Sequence, residues 1–211
     1  MMTIAQIMEK MIAFSEGNIH DITHLSCVWT YAKTIGELDG LDADTQFILE
    51  VAAITHDIAC PLCRKKYGNT NGKYQEQEGA PLVREFLADT GMTAEQIDRV
   101  AYLVGHHHSP AQINGIDYQI LIEADYIVNA SENGYDRQAI RTFMEHTMKT
   151  AAGTPKRNRI FRRMCRLTSS KASRREAQPA LKMQIKGVWG TPQQAFCNAK
   201  VAVVYTTALL A

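Results

Sequence analysis

The 211-residue sequence predicts an all-α fold, a bundle of about six to seven helices over residues 1–150 followed by a basic, poorly patterned tail over 151–211. Three observations carry this reading. Through residue 150 the apolar residues recur at spacings of three and four, whereas the period-two alternation of half-buried strands is scarce. Capping residues open these segments, and Gly or Pro closes several of them. One segment, 47–54, is apolar except at Glu50, as expected of a helix buried nearly all round.

In order, residues 2–14 carry apolar positions at 4, 7, 8, 11 and 12, with Gly17-Asn18 as the stop. A second helix is expected from an Asp21 cap to about Leu38, ended by Gly40, its inward face being His24, Val28, Tyr31 and Ile35. The third starts after Asp42, carries His56-Asp57 at its end and is closed by Pro61; it is the expected central helix. Residues 61–77 read as a mobile polar loop. A fourth helix fits 78–89, with Pro81 in its first turn. The capping box Thr93 to Gln96 opens a fifth, reaching His106 to His108. A sixth covers 118 to about 131, and a seventh 136–149.

The chain holds 23 Lys plus Arg against 22 Asp plus Glu, but the balance is a cancellation: residues 1–150 carry a net −10 and residues 151–211 a net +11. All seven His fall in the acidic part, so acid/base and metal chemistry is expected there. The tail reads as a poorly ordered extension. An acidic body opposes a polyanion and no aromatic platform accompanies the basic cluster, so a nucleic-acid partner is not expected; pairing of the tail with the body of another copy, a homo-oligomer, or with its own body fits the same counts equally. The start lacks the basic head and unbroken apolar stretch of a signal peptide, and no apolar run approaches the ~20 residues of a membrane span. A cytoplasmic protein without membrane contact is expected. Five Cys at irregular spacing predict no disulfide framework, and Cys60 and Cys63 read as semi-buried thiols in a loop.

The informative feature is where ionisable groups sit on apolar helix faces. His24 shares a stripe with Val28 and Ile35, His56 lies over Leu49, Ala52 and Ala53, and Asp125 lies between Leu121 and Val128. An unpaired buried carboxylate costs several kcal/mol, and a buried imidazole also needs partners. A divalent cation satisfies His24, His56, Asp57 and Asp125 together, and this mixed set suits Mn, Fe, Co, Ni, Zn or Mg. No Gly-x-x-x-x-Gly-Lys-Ser/Thr loop is present, which excludes a P-loop nucleotide hydrolase.

The order His24, His56-Asp57, Asp125, within the phrases Ala53-Ile-Thr-His-Asp-Ile58 and Glu123-Ala-Asp-Tyr126, resembles the signature of the HD-domain metal-dependent phosphohydrolase superfamily over residues 15–135. His20-Asp21 is set aside as a decoy pair. The resemblance implies an HD-domain helical bundle in which those four residues bind one metal, with Asp57 able to bridge to a second. Dinuclear members add His ligands, for which His106 and His107 are in position, helical phase favouring 107 or 108. The family's other His, before a Gly-Ala pair, is absent: Gln75-Glu76-Gln77-Glu78 precedes Gly79-Ala80, and Glu76 or Glu78 would stand in.

The expected function is therefore a metal-dependent phosphohydrolase, phosphomonoesterase or phosphodiesterase, acting on a nucleotide or other small phosphate ester. Asp57 and His56 are its catalytic pair, and Arg64, Lys65, Lys66 and Lys73 are its phosphate-binding candidates. The alternative is a catalytically silent metal- or nucleotide-binding regulatory protein of the same fold.

Overall fold

The structure, a computed structural model, describes residues 1–152. The expectations for the basic tail fall almost wholly outside the described residues. Among these there are eight α-helices, one short 3-10 turn at Pro110–Gln112 and no strand. The helices are α1 (Ile4–Phe14), α2 (Ile19–Asp39), α3 (Ala43–Thr55), α4 (Cys60–Tyr67), α5 (Gly72–Leu87), α6 (Ala94–Val104), α7 (Ile116–Glu132) and α8 (Arg137–His146).

Helix α3 is the centre. It packs against α1, α2, α6 and α7, and every residue from Ile48 to Thr55 is buried. Even Glu50 lies inside, where its carboxylate accepts from Trp29 Nε1 at 2.8 Å, Gln46 Nε2 at 3.0 Å and Lys33 Nζ at 3.1 Å, so the buried charge on this helix ties α3 to α2. The segment Ala43–Tyr67 has the length and hydropathy of a membrane span, but 72% of its apolar 18-residue stretch is buried within the protein.

Side-chain caps start most of these helices. The Thr3/Gln6 and Thr93/Gln96 capping boxes both form, and Asp42 accepts from the Asp44 and Thr45 amides at 3.1 and 3.0 Å. Helix α2 starts earlier than the Asp21 cap predicted: Asn18 accepts from the Asp21 amide, which leaves the Asp21 carboxylate for Arg64.

The largest correction concerns residues 61–77. Pro61 does not close α3; it occupies the first turn of α4, where a missing N–H removes no helical bond. Cys60 and Cys63 are thus buried on a helix, not in a loop. Gly68, at φ 71°, ends α4, and Asn71 caps α5 through the Lys73 amide at 3.1 Å. Helix α5 accordingly starts six residues before the expected position, and Pro81 sits in its interior. Helix α6 ends at Val104, so His106 to His108 belong to the turn beyond it, held where the Tyr118 hydroxyl donates to the carbonyls of His106 and Ser109. Helix α8, capped by Asp136, stops three residues short of the expected Lys149.

Gly79 lets α5 lie directly on the end of α6: a Cβ there would stand 2.9 Å from Val104 Cγ1. Gly105 answers it, with room for a Cβ only 3.0 Å from Ala80. Because this contact supports the turn carrying His107, Gly79→Val should destabilise the fold by about 1–3 kcal/mol, read as a lowered urea midpoint. An unchanged midpoint would show that the close approach is not a constraint.

Candidate metal centre

Three helices bring the centre together. His24 enters from α2, His56 and Asp57 from the end of α3, and Asp125 from the middle of α7; the two imidazoles and Asp125 are buried and Asp57 is partly exposed. His24 Nε2 lies 3.2 Å from His56 Nε2, 3.3 Å from Asp125 Oδ1 and 3.6 Å from Asp57 Oδ2. His56 Nε2 lies 3.5 Å from Asp125 Oδ1 and 3.8 Å from Asp57 Oδ2. Donors about 2.1 Å from a common cation stand roughly 3.0 Å apart at right angles and about 3.4 Å apart in a tetrahedron. His24, His56 and Asp57 form a group of that kind, and Asp125 Oδ1 adjoins both of its imidazoles.

Tautomers decide the matter more sharply than distances. His56 Nδ1–H donates to the Ala53 carbonyl at 2.9 Å, and His24 Nδ1–H donates to Glu132 Oε2 at 2.9 Å. Each ring then presents an Nε2 lone pair, and the two lone pairs face each other at 3.2 Å among carboxylates. Only a positive charge between them makes this arrangement favourable. Without a metal that charge is a proton: burial by itself lowers the His24 pKa, but hydrogen bonds to Asp125 and Glu132, with the charges of Asp57 and Asp125, raise it to about 11. Burial pushes the Asp57 and Asp125 carboxyls up; the neighbouring imidazoles, His56 foremost for Asp57 and His24 for Asp125, hold both well below the usual range.

A second group adjoins the first. Ligand atoms of Asp57, His107 and His108 lie within 4.8 Å of one another. His107 Nδ1–H donates to the Val104 carbonyl at 2.7 Å, so its buried Nε2, 3.4 Å from Asp57 Oδ1, makes no hydrogen bond. Asp57 therefore turns one oxygen toward each group. His106 is directed elsewhere, its Nδ1 on the Tyr102 carbonyl and its ring stacked on Tyr102. Glu78 accepts from Lys66 Nζ at 2.9 Å and the Tyr67 hydroxyl at 2.6 Å, while Glu76 accepts from the His108 amide and the Ser109 hydroxyl. Neither carboxylate faces the cavity over the centre.

That cavity, about 490 Å³, is lined by His24, Asp57, His107, His108 and Asp125, among others. Of the four basic candidates only Arg64 lines it, paired with Asp21; Lys65, Lys66 and Lys73 do not, and Lys66 is engaged by Glu78. The sequence reading did not include Asn129, Glu132 or Gln75, which also line it. Asn129 Nδ2 donates to Asp125 Oδ1 at 2.8 Å and Glu132 orients His24; their signal was available, since they follow Asp125 by four and seven residues on one helical face. Gln75, buried with its Oε1 unpartnered, lay in the segment misread as a loop.

Two outcomes test the centre. Glu132→Ala should weaken Mn²⁺ binding by about 10–100-fold while the protein stays folded, because it frees the His24 ring; calorimetric titration checks it, and unchanged affinity would remove Glu132 from the site. Since His24 holds its proton up to about pH 11 in the metal-free protein, the cation must displace it. Affinity should therefore rise as pH rises from 6 to 8, with proton release measurable in buffers of different ionisation enthalpy.

Comparison with known proteins bears on the family and the fold. No curated protein matches the chain. A predicted HD superfamily hydrolase from an uncultured Thermotogales bacterium has the same fold, with a TM-score of 0.55 and 19% identity over 81% of this chain and 90% of its own. The family model for the HD domain matches residues 21–170. The match spans well over half of the sequence and includes all four convergent side chains, so the chain belongs to the HD-domain family.

Proposed function

We propose that the protein is a divalent-metal-dependent phosphohydrolase acting on a nucleotide or other small phosphate ester. The observation that carries this is the pair of opposed Nε2 lone pairs, flanked by Asp57 and Asp125, at a cavity large enough for a small organic phosphate. A divalent cation held by His24, His56, Asp57 and Asp125 supplies Lewis acidity, making water more acidic and drawing charge from a phosphate oxygen. His107, with His108 and the second Asp57 oxygen, offers the position for a second cation.

The chain's own residues supply the rest. Asp57, between the two groups and partly open to the cavity, orients the attacking water. His56 is held by the Ala53 carbonyl and so fixes the direction of its lone pair. Arg64 stands at the cavity wall with a guanidinium that exchanges Asp21 for phosphate oxygens. Gln75, a buried cavity-lining residue with an unpartnered Oε1 in the segment where the resemblance would have a further His, favours one further reading, a metal-bound form of this fold that binds its ligand without turnover.

The reaction is tested with Mn²⁺-loaded protein and a panel of phosphate mono- and diesters. Hydrolysis is expected, falling by a factor on the order of 10²–10⁴ in Asp57→Asn, whereas Arg64→Ala should chiefly raise KM, by about tenfold. Failure of the loaded protein to hydrolyse any ester would overturn the reading in favour of the silent form.

A further inference from the structure

Among the described residues, three buried side-chain atoms have no hydrogen-bond partner: Gln46 Oε1, Gln75 Oε1 and His107 Nε2. Gln75 and His107 both line the cavity over the metal centre; Gln46 does not. Gln75 is 6% exposed, and its Nε2 donates to the Thr70 carbonyl at 2.8 Å, which fixes the oxygen as the end of the amide without a partner. Gly72, Gln75 and Gly79 share one face of α5 by their spacing of three and four. That face runs along residues 104–108: a Cβ on Gly72 would stand 2.7 Å from His108 Cγ, and one on Gly79 2.9 Å from Val104 Cγ1. Glu76, next in sequence, accepts from the His108 amide at 3.0 Å. Gln75 is thereby brought against the turn that carries His107.

The geometry points to Gln75 Oε1 as a metal ligand that joins the group of Asp57, His107 and His108, and that turns this second position toward an oxygen-preferring cation such as Mn²⁺ or Mg²⁺. The inference rests on the second-cation position in the proposed function and adds a donor to it. Gln75 Oε1, His107 Nε2 and Asp57 Oδ1 are all acceptors. The Nδ1–H of His107 is spent on the Val104 carbonyl, Asp57 Oδ1 belongs to a carboxylate 3.4 Å from the ring, and an amide oxygen can only accept. A proton on His107 Nε2 would serve Asp57 and leave the amide oxygen unserved. A water molecule brings two protons to three acceptors. A cation attracts all three together, and a buried acceptor left unmet is costly. Glu76 and Glu78, the carboxylates of the same helix turn, are engaged by the His108 amide and Ser109 and by Lys66 and Tyr67, so the amide of Gln75 is the oxygen that turn directs to the cavity. A carbonyl oxygen is a harder donor than an imidazole, and it suits Mn²⁺ and Mg²⁺ where an imidazole suits Zn²⁺, Fe²⁺ or Ni²⁺.

The test titrates chelator-stripped full-length protein with Mn²⁺ by calorimetry, with no phosphate ester present. Two equivalents should bind, and in Gln75→Ala the second should weaken by about tenfold or more while the first is unchanged. Gln75→Glu, which keeps the oxygen and adds a charge, should tighten the second. In Gln75→His the ratio of Zn²⁺ to Mn²⁺ affinity at that position should rise by about tenfold or more. A single equivalent in the wild-type protein overturns the inference. So does an unchanged second affinity in Gln75→Ala, which would leave the amide oxygen to a water. Loss of both equivalents together in Gln75→Ala also overturns it, because the amide would then be supporting the fold and not a cation. Binding of two cations through Gln75 without hydrolysis of any ester upholds the inference and overturns the phosphohydrolase reading instead.

Discussion

Two imidazole lone pairs pointing at each other inside a protein need a positive charge between them, and much of this fold serves to keep them there. The Ala53 carbonyl consumes the Nδ1–H of His56 and the Glu132 carboxylate that of His24, so neither ring can turn its proton inward without losing a buried hydrogen bond. His107 repeats the device with the Val104 carbonyl. The result is a set of acceptors beside two carboxylates, a local concentration of electron pairs stable only with a proton or a cation. That is the physical meaning of a metal centre whose ligands are oriented before the metal arrives.

The surrounding helices act as supports for these orientations. The residues preceding His56 are buried without exception from Ile48 onward, which fixes the end of α3 in the core. Glu50, inside the same helix, is held by three donors and prevents rotation relative to α2. On the far side, Gly79 and Gly105 let α5 and the end of α6 approach closely, Gly79 against the Val104 side chain and Gly105 against Ala80, which supports the turn carrying His107. The chemistry-bearing atoms thus sit at element ends, where backbone carbonyls are free to accept from imidazoles.

Much of the fold was legible because its helices carry their own start signals. The Thr93 capping box forms as expected and α3 starts after Asp42 as expected, while Thr3 and Asp136 also cap; the burial of α1, α2, α3 and α7 follows their apolar spacing. Residues 61–77 were not legible, because a proline opens a helix as readily as it closes one, and the short α4 and the polar first turns of α5 show little periodicity. The error carried over to the site. With 72–77 taken as loop, Gln75 had no face to belong to; in the His run, helical phase pointed to 107 or 108, the two that group with Asp57, although both lie in the turn after Val104 and not on α6.

The sequence by itself determined which residues are inward-facing ionisable groups: His24, His56 and Asp125 lie on apolar stripes of single helices, and local periodicity suffices to place a side chain on a face. Tertiary structure decided what those groups do to one another. That Asp57 turns its two oxygens to different imidazoles, that Glu132 and not solvent holds His24, that Arg64 alone of the four basic candidates reaches the cavity, and that Glu78 is spent on Lys66 and Tyr67 all depend on contacts between helices far apart in the chain. Periodicity orders residues around one helix axis, whereas the distance and tautomer that create a metal site depend on how several axes are packed together.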